Sequence, residues 1–236
     1  LYTYARKLIA LRDEAEIAMD EFQGKIRGRL VFGGSTNPGG NILPQLIGAF
    51  TADYPDVKIS LIIGDTDQII QDTLSGLLEL GIVGAKPSDK NIGMENLIED
   101  EMRLIVTADH KWAGRKHIPL ELIFKEPFIV REPGSGTLKS IKMSLTEKCH
   151  LFEDFNIISE MGSTAAIIQG IKSKVGISIL STIAVAEELK AGTLKALVIK
   201  DLKLRRSFYL IRHKHRSASP LCKAFNEFLK KEFTAK

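Results

Sequence analysis

Apolar positions along the chain alternate between two periods. Arg29–Gly34 reads as a short strand; Ile42, Leu43, Leu46, Ile47 and Phe50 then follow at helical spacing as far as Asp53-Tyr54-Pro55. Val57–Ile63 is a second strand, bounded by Gly64, and Thr66 stands where a cap would open a helix with Ile69, Ile70, Thr73, Leu74 and Leu77 on one face. Leu80–Val83 is a buried-type strand closed by Gly84. The alternation continues with strands at Met102–Thr107, Pro127–Arg131, Phe155–Ser159, Val175–Leu180, Leu194–Ile199 and Ser207–Arg212. Between them lie helices at Leu120–Phe124, Leu138–Lys148, Thr164–Lys172 and Ile183–Ala191, and a closing helix runs from about Ser219 to Phe233. Strand–helix alternation with short connections predicts βαβ units and parallel sheets.

So many units exceed what one sheet holds in this length, and the pattern predicts an α/β chain of two Rossmann-like lobes. Residues 25–100 and 204–236 form the first lobe and residues 101–203 the second. The acidic run Glu99-Asp100-Glu101 suits one crossover, and Asp201–Arg206 the return. A ligand then lies in the cleft where the carboxyl ends of the two sets of strands face each other. Ahead of the lobes, Leu1, Tyr4, Leu8, Leu11, Ala15, Ala18 and Phe22 repeat at spacings of three and four, with Gly24 placed to end a helix. Residues 1–24 therefore read as a linker or dimerisation helix, or as a surface helix packed on its own domain. The pattern starts without a cap residue, so a preceding segment is expected.

The bulk numbers narrow the class. A chain of 236 residues, 44% hydrophobic, builds one or two compact units. It has no apolar run long enough to span a membrane, and its charged first residues lack the core of a secretory signal. A net charge of +4, from 33 basic and 29 acidic residues, is too balanced for a protein that coats nucleic acid. Cys149 and Cys222 form no disulfide framework and fit a reducing cytoplasm; they are expected to be buried structural thiols, too far apart to bridge.

Three loops end a strand and open a helix with small polar residues: Ser35-Thr36-Asn37, Gly134-Ser135-Gly136-Thr137 and Gly162-Ser163-Thr164. Each offers hydroxyls and backbone N–H groups at a helix N-terminus, suited to an anion; each is also what helix capping alone would produce. Arg131 flanks the second loop as a possible cation, and Gly84 closes a strand on the same side; Lys139 reads as an exposed surface cation. The first loop has the glycine spacing of a phosphate-binding loop, but Gly40 and Asn41 occupy the positions of its Lys and Ser/Thr. No catalytic constellation is recognisable. His213 and His215 share a strand face but sit among Arg212, Lys214 and Arg216, which oppose a bound metal. No cofactor, metal or catalytic residue is expected.

The run LYTYARKLIALRDEAEIAMDEFQGKIRGRLVFGGST resembles the linker helix and first sensor strand of LysR-type transcriptional regulators. The resemblance continues through DYPDVKISLIIGDTDQIIQDTLSGLLELGIVG, DHKWAGRKHIPLELIFKEPFIVREPGSGT, VGISILS and SPLCKAFNEFLKKEF, and so covers essentially the whole chain. It implies the two-lobed type 2 fold of periplasmic binding proteins, with a small anionic effector, an oxyanion or carboxylate metabolite, in the interlobe cleft. Ser35, Thr36 and Asn37 match the first effector loop, Ser135, Gly136 and Thr137 the second-lobe loop, and Gly162, Ser163 and Thr164 the opposite wall. The resemblance also implies a homodimer or homotetramer and DNA contact through an N-terminal winged helix-turn-helix outside this chain. The alternative is a solute-binding protein of a transport system. The chain departs from the family pattern at Ser173-Lys174, where many members carry Ala-Gly. A bend there with φ > 0 strains Lys174. Pro38-Gly39-Gly40 is also richer in glycine, which either lets backbone approach a ligand or loosens the loop. Only Cys149 lies in the second lobe, where peroxide-sensing members carry two cysteines.

Overall fold

The computed structural model describes residues 26–234 together with 12 and 19. The expected helix over residues 1–24 lies, but for those two positions, outside the described residues. The strands are β1 (Gly28–Ser35), β2 (Val57–Gly64), β3 (Gly81–Val83), β4 (Ile92–Thr107), β5 (His117–Ile118), β6 (Phe128–Arg131), β7 (Ile157–Met161), β8 (Ser178–Ser181), β9 (Leu194–Ile199) and β10 (Arg205–His213). The helices are α1 (Thr36–Asn41), α2 (Leu43–Asp53), α3 (Thr66–Ser75), α4 (Leu120–Ile123), α5 (Gly136–Thr146), α6 (Thr164–Lys172), α7 (Ala186–Lys190) and α8 (Pro220–Thr234). The α/β class expected from the sequence is the class observed.

Two sheets share one strand. The first runs β2-β1-β3-β10-β4, with β1 parallel to β2 and β3, and β10 antiparallel to β3 and β4. The second pairs the far half of β4 antiparallel with β8 and β9; β9 takes β5 in parallel, and β6 lies parallel to β7 with a bridge from Phe128 to Ile177 beside β8. Both sheets are thus mixed rather than purely parallel, because β4 and β10 carry the chain out of one sheet and back.

Strand β4 is 16 residues long, whereas the sequence pattern predicts only its end, from Met102. The run Glu99-Asp100-Glu101 reads as a crossover link. The acidic run is in fact strand, paired residue for residue with β10: Glu99 faces Ser207, Asp100 faces Arg206 and Glu101 faces Arg205. Alternation along a strand sends Asp100 inward, where it is 1% exposed, while its neighbours stay accessible.

Helices cover both faces of each sheet, so the strands carry apolar residues in both directions. Phe32, Phe50 and Phe225 join β1, α2 and α8, with Phe225 ring centroids 4.7 Å from Phe32 and 4.9 Å from Phe50. On the other face Ile69 of α3 packs with Val83 and Ile211. In the second sheet Leu104 packs with Phe128, Ile179 and Leu197 on one side, while the next residue, Ile105, packs with Ile129, Ile167 and Leu180 on the other.

Two sequence oddities find their physical reason here. In the Pro38-Gly39-Gly40 run, Gly39 seats α1 directly on β1: a methyl group on Gly34 would lie 2.8 Å from the Gly39 Cα and 2.7 Å from Leu43 Cδ1. Close helix–strand packing accounts for Gly39. Lys174 adopts φ 60°, the left-handed conformation that glycine would adopt without penalty, at a cost of about 1–2 kcal/mol. Its Nζ pairs with Asp109.

The glycine contacts predict opposite outcomes for two substitutions. Gly34→Ala forces backbone against backbone and should destabilise the chain by about 1–3 kcal/mol. Gly40 is helical with open space at its Cβ position, so Gly40→Ala should be neutral or stabilising by up to about 1 kcal/mol. Thermal unfolding of both variants checks the pair.

Candidate functional site

Loops from both sheets meet at one place. From the first come Ser35, Thr36 and Asn37 at the junction of β1 and α1, Thr66 opening α3, Gly84 after β3, and Arg206 in β10. From the second come Ser135, Gly136 and Thr137 opening α5. They enclose a cavity of about 10 Å³, the space of a single water molecule. The walls are in near contact. A methyl group on Gly136 would sit 2.8 Å from Thr66 Oγ1 and 3.0 Å from the Gly84 carbonyl oxygen, and one on Gly134 would sit 2.6 Å from Asp65 Cγ. At the rim, Lys139 is an exposed surface cation, as expected, and pairs with Asp67 across the divide. Admitting a metabolite requires these walls to separate.

The structure therefore gathers Ser35, Thr36, Asn37, Gly84, Ser135, Gly136 and Thr137 around the cavity. Arg131, Gly162, Ser163 and Thr164 do not line it. Arg131 is buried, with Nε and Nη2 donating to the two oxygens of Glu132 at 2.7 and 2.6 Å and Nη1 donating to Thr164 Oγ1 at 2.9 Å. Ser163 caps α6, its Oγ accepting the Ala166 N–H at 3.1 Å, and Gly162 precedes it in open space. Capping and a local ion pair account for this wall. Ser135 also caps its helix, accepting the Thr137 N–H at 3.2 Å.

Two lining residues are absent from the sequence-based set. Thr66 is expected as a cap, but Asp65 takes that role, its Oδ1 accepting the Gln68 N–H at 2.8 Å. The Thr66 hydroxyl is left buried at the first position of α3 with no partner. Arg206 is the other. Its Nε donates to Asp100 Oδ2 at 2.8 Å and its Nη1 donates to Thr137 Oγ1 at 2.9 Å. Ser181 Oγ donates to the remaining Asp100 oxygen at 2.6 Å. Burial pulls the Arg206 pKa down, the charge of Asp100 pulls it back, and the like charge of Arg131 adds to the fall. A guanidinium keeps its proton under such pressure.

Among the described residues, buried side-chain atoms without a partner are Asn37 Nδ2, Thr66 Oγ1, Arg206 Nη2 and Asn226 Oδ1. The first three belong to residues that line this cavity. A buried polar group left unpaired costs about 1–3 kcal/mol, so their meeting in one place has a physical meaning: an oxygen-rich guest would satisfy them together.

Elsewhere, Cys149 is exposed, at φ 58°, which corrects the expectation that both thiols are buried. Cys222 is buried, and burial pushes its thiol up to about 12. His215 donates its backbone N–H to His213 Nδ1 at 3.2 Å. No group of three or more His, Cys, Asp or Glu suited to a metal occurs among the described residues, and no helix among them is long and apolar enough to cross a membrane.

Two α/β sheets sharing a long strand, with polar loops from both closing on one cavity, define a two-lobed ligand-binding domain of the type 2 periplasmic-binding-protein-like fold. The LysR substrate binding domain family matches residues 23–234, and the chain belongs to that family. It is the effector-sensing region of a LysR-type transcriptional regulator. It is similar to the HTH-type transcriptional activator CmpR of Synechocystis sp., at 30% identity over 225 residues, covering 95% of this chain and 73% of that protein. It is likewise similar to the HTH-type transcriptional regulator CbbR of Rhizobium meliloti, at 32% over 222 residues, covering 94% and 69%. Among solved structures it resembles the Synechocystis CcmR regulatory domain in complex with 2-PG, with a TM-score of 0.80, 26% identity, and 88% and 98% of the two chains covered. The fold is also that of the effector binding domain of QuiR in complex with shikimate, with a TM-score of 0.78, 24% identity, and 89% and 98% covered.

The contrast between the thiols is directly measurable. In the native chain a thiol-reactive dye should titrate Cys149 promptly and leave Cys222 unmodified; both should react in denaturant. Prompt modification of Cys222 in the native state would contradict the packing around α8.

Proposed function

We propose that this region senses a small anionic effector, an oxyanion or a carboxylate metabolite, held between the two lobes. Residues 25–100 with 204–236 act as one lobe, and residues 101–203 as the other. Ser35, Thr36, Asn37, Gly84, Ser135, Gly136 and Thr137 contact the effector, joined by Thr66 and Arg206. Arg131, Gly162, Ser163 and Thr164 support the second wall. The observation that carries this reading is that Asn37, Thr66 and Arg206, each with a buried unpartnered polar atom, line one cavity. Two of the three are obligate donors, which suits an acceptor-rich ligand.

The complexes of CcmR with 2-PG and QuiR with shikimate support a small-molecule effector in this fold. The similar proteins are transcriptional regulators, which favours sensing over transport or catalysis. The regulator then works in the cytoplasm as a homodimer or homotetramer, and touches DNA through a helix-turn-helix that this chain does not include. An effector that binds the closed lobes better than the open ones shifts the population toward closure, and the shift repositions the DNA-binding parts.

Calorimetric titration of the whole chain with 2-PG, shikimate and inorganic phosphate tests the site. A hydrogen bond to a charged group is worth about 1.5–3 kcal/mol, so Thr36→Val with Thr66→Val should weaken the binding anion at least about tenfold without lowering the melting temperature. Unchanged affinity in the double variant would remove these hydroxyls from the site.

A further inference from the structure

We propose that Arg206 is the specificity-determining cation of the cleft, and that Asp100 is the residue that positions it. The inference rests on the reading of the cavity as an anion site. Arg131, the cation flanking the second loop in sequence, has its guanidinium held by Glu132 and Thr164. Arg206 is held differently. A guanidinium has five N–H donors in a rigid fork: one on Nε, two on Nη1 and two on Nη2. Asp100 takes the Nε edge and Thr137 takes Nη1, while Nη2 of this cavity-lining residue is buried without a partner.

The surroundings fix that orientation. Arg206 and Asp100 are direct cross-strand partners where β4 and β10 pass between the sheets. The second Asp100 oxygen is engaged by Ser181 of β8, so the carboxylate cannot swing away to follow the guanidinium. The Phe208 ring lies against the planar group, its centroid 5.1 Å from the Arg206 Cζ. Gly84 leaves room beside both: a methyl group there would lie 3.2 Å from Arg206 Nη1 and 3.3 Å from Phe208 Cε1. Because Nη1 already reaches Thr137 on the opposite wall, an anion on Nη2 binds a group that joins the two lobes. Binding and closure are then one event.

Arg206→Gln alone strands a buried carboxylate and risks misfolding, so the decisive variant is Arg206→Gln with Asp100→Asn, which removes both charges. Arg206→Lys keeps the charge and loses the fork. Calorimetry on the whole chain uses 2-PG, shikimate and inorganic phosphate as probes. The double variant should melt cooperatively and bind the wild type's best anion at least about tenfold more weakly, and Arg206→Lys should also lose affinity, since a point charge does not replace a fork. Asp100→Asn alone keeps the cation but loosens its aim, and should reduce the discrimination between the three probes even where it spares affinity. If a probe binds the wild type and the double variant equally well, Arg206 is not the cation, while the cleft stands as the site. If none of the three binds the wild type, the anion reading and this inference fall together.

Discussion

The buried pair of Arg206 and Asp100 is the constraint on which the arrangement depends. Taking two charges out of water costs several kcal/mol per ion, and such a pair is tolerated only when its geometry is good and its remaining groups are satisfied. Asp100 meets that condition, with one oxygen on Arg206 and the other on Ser181, so a single carboxylate ties β4, β10 and β8 together where the sheets join. Arg206 does not meet it, because Nη2 has no partner. On the proposed reading, the structural requirement at the crossing and the recognition chemistry in the cleft are served by one side chain.

The rest of the site follows from how closely the two walls approach. Gly136 and Gly84 let the second-lobe loop sit against the first, and Gly34 with Gly39 seats α1 so that Asn37 turns inward. The exposed Lys139–Asp67 pair at the rim contributes little by itself, since ion pairs in water are worth about 0–1 kcal/mol. On the proposed reading, closure is governed instead by the shape of the glycine-lined walls and by the Arg206–Thr137 contact. A regulator needs such a balance, because a ligand can shift an equilibrium only by its differential affinity for the two states.

Much of this architecture is legible in the chain. The apolar runs mark β1, β2 and β9 closely, and Thr164–Lys172 matches α6 as read. The polar loops after β1 and before α5 stand out because small hydroxyl and glycine residues interrupt apolar segments. What escapes is set by partners far away in sequence. The early half of β4 has the charge pattern of a link, and only its pairing with β10 makes it a strand. Arg206 sits in a run of basic residues that reads as a solvated crossover; its burial depends on Asp100, 106 positions earlier. Thr66 looks like a cap because nothing local shows that Asp65 takes the role. Conversely, Arg131 looks available only until Glu132 is seen to fold back on it.

The most direct test of this account is to locate an anion by its own scattering. Selenate carries a tetrahedral array of acceptor oxygens and a strong anomalous signal, so crystals of the whole chain grown with it report where the anion binds. The account predicts an anomalous peak within hydrogen-bonding distance of Arg206 Nη2, Asn37 Nδ2 and Thr66 Oγ1, between α1, α3 and α5. Selenate bound only elsewhere, with the Arg206 edge still unpaired, would contradict it.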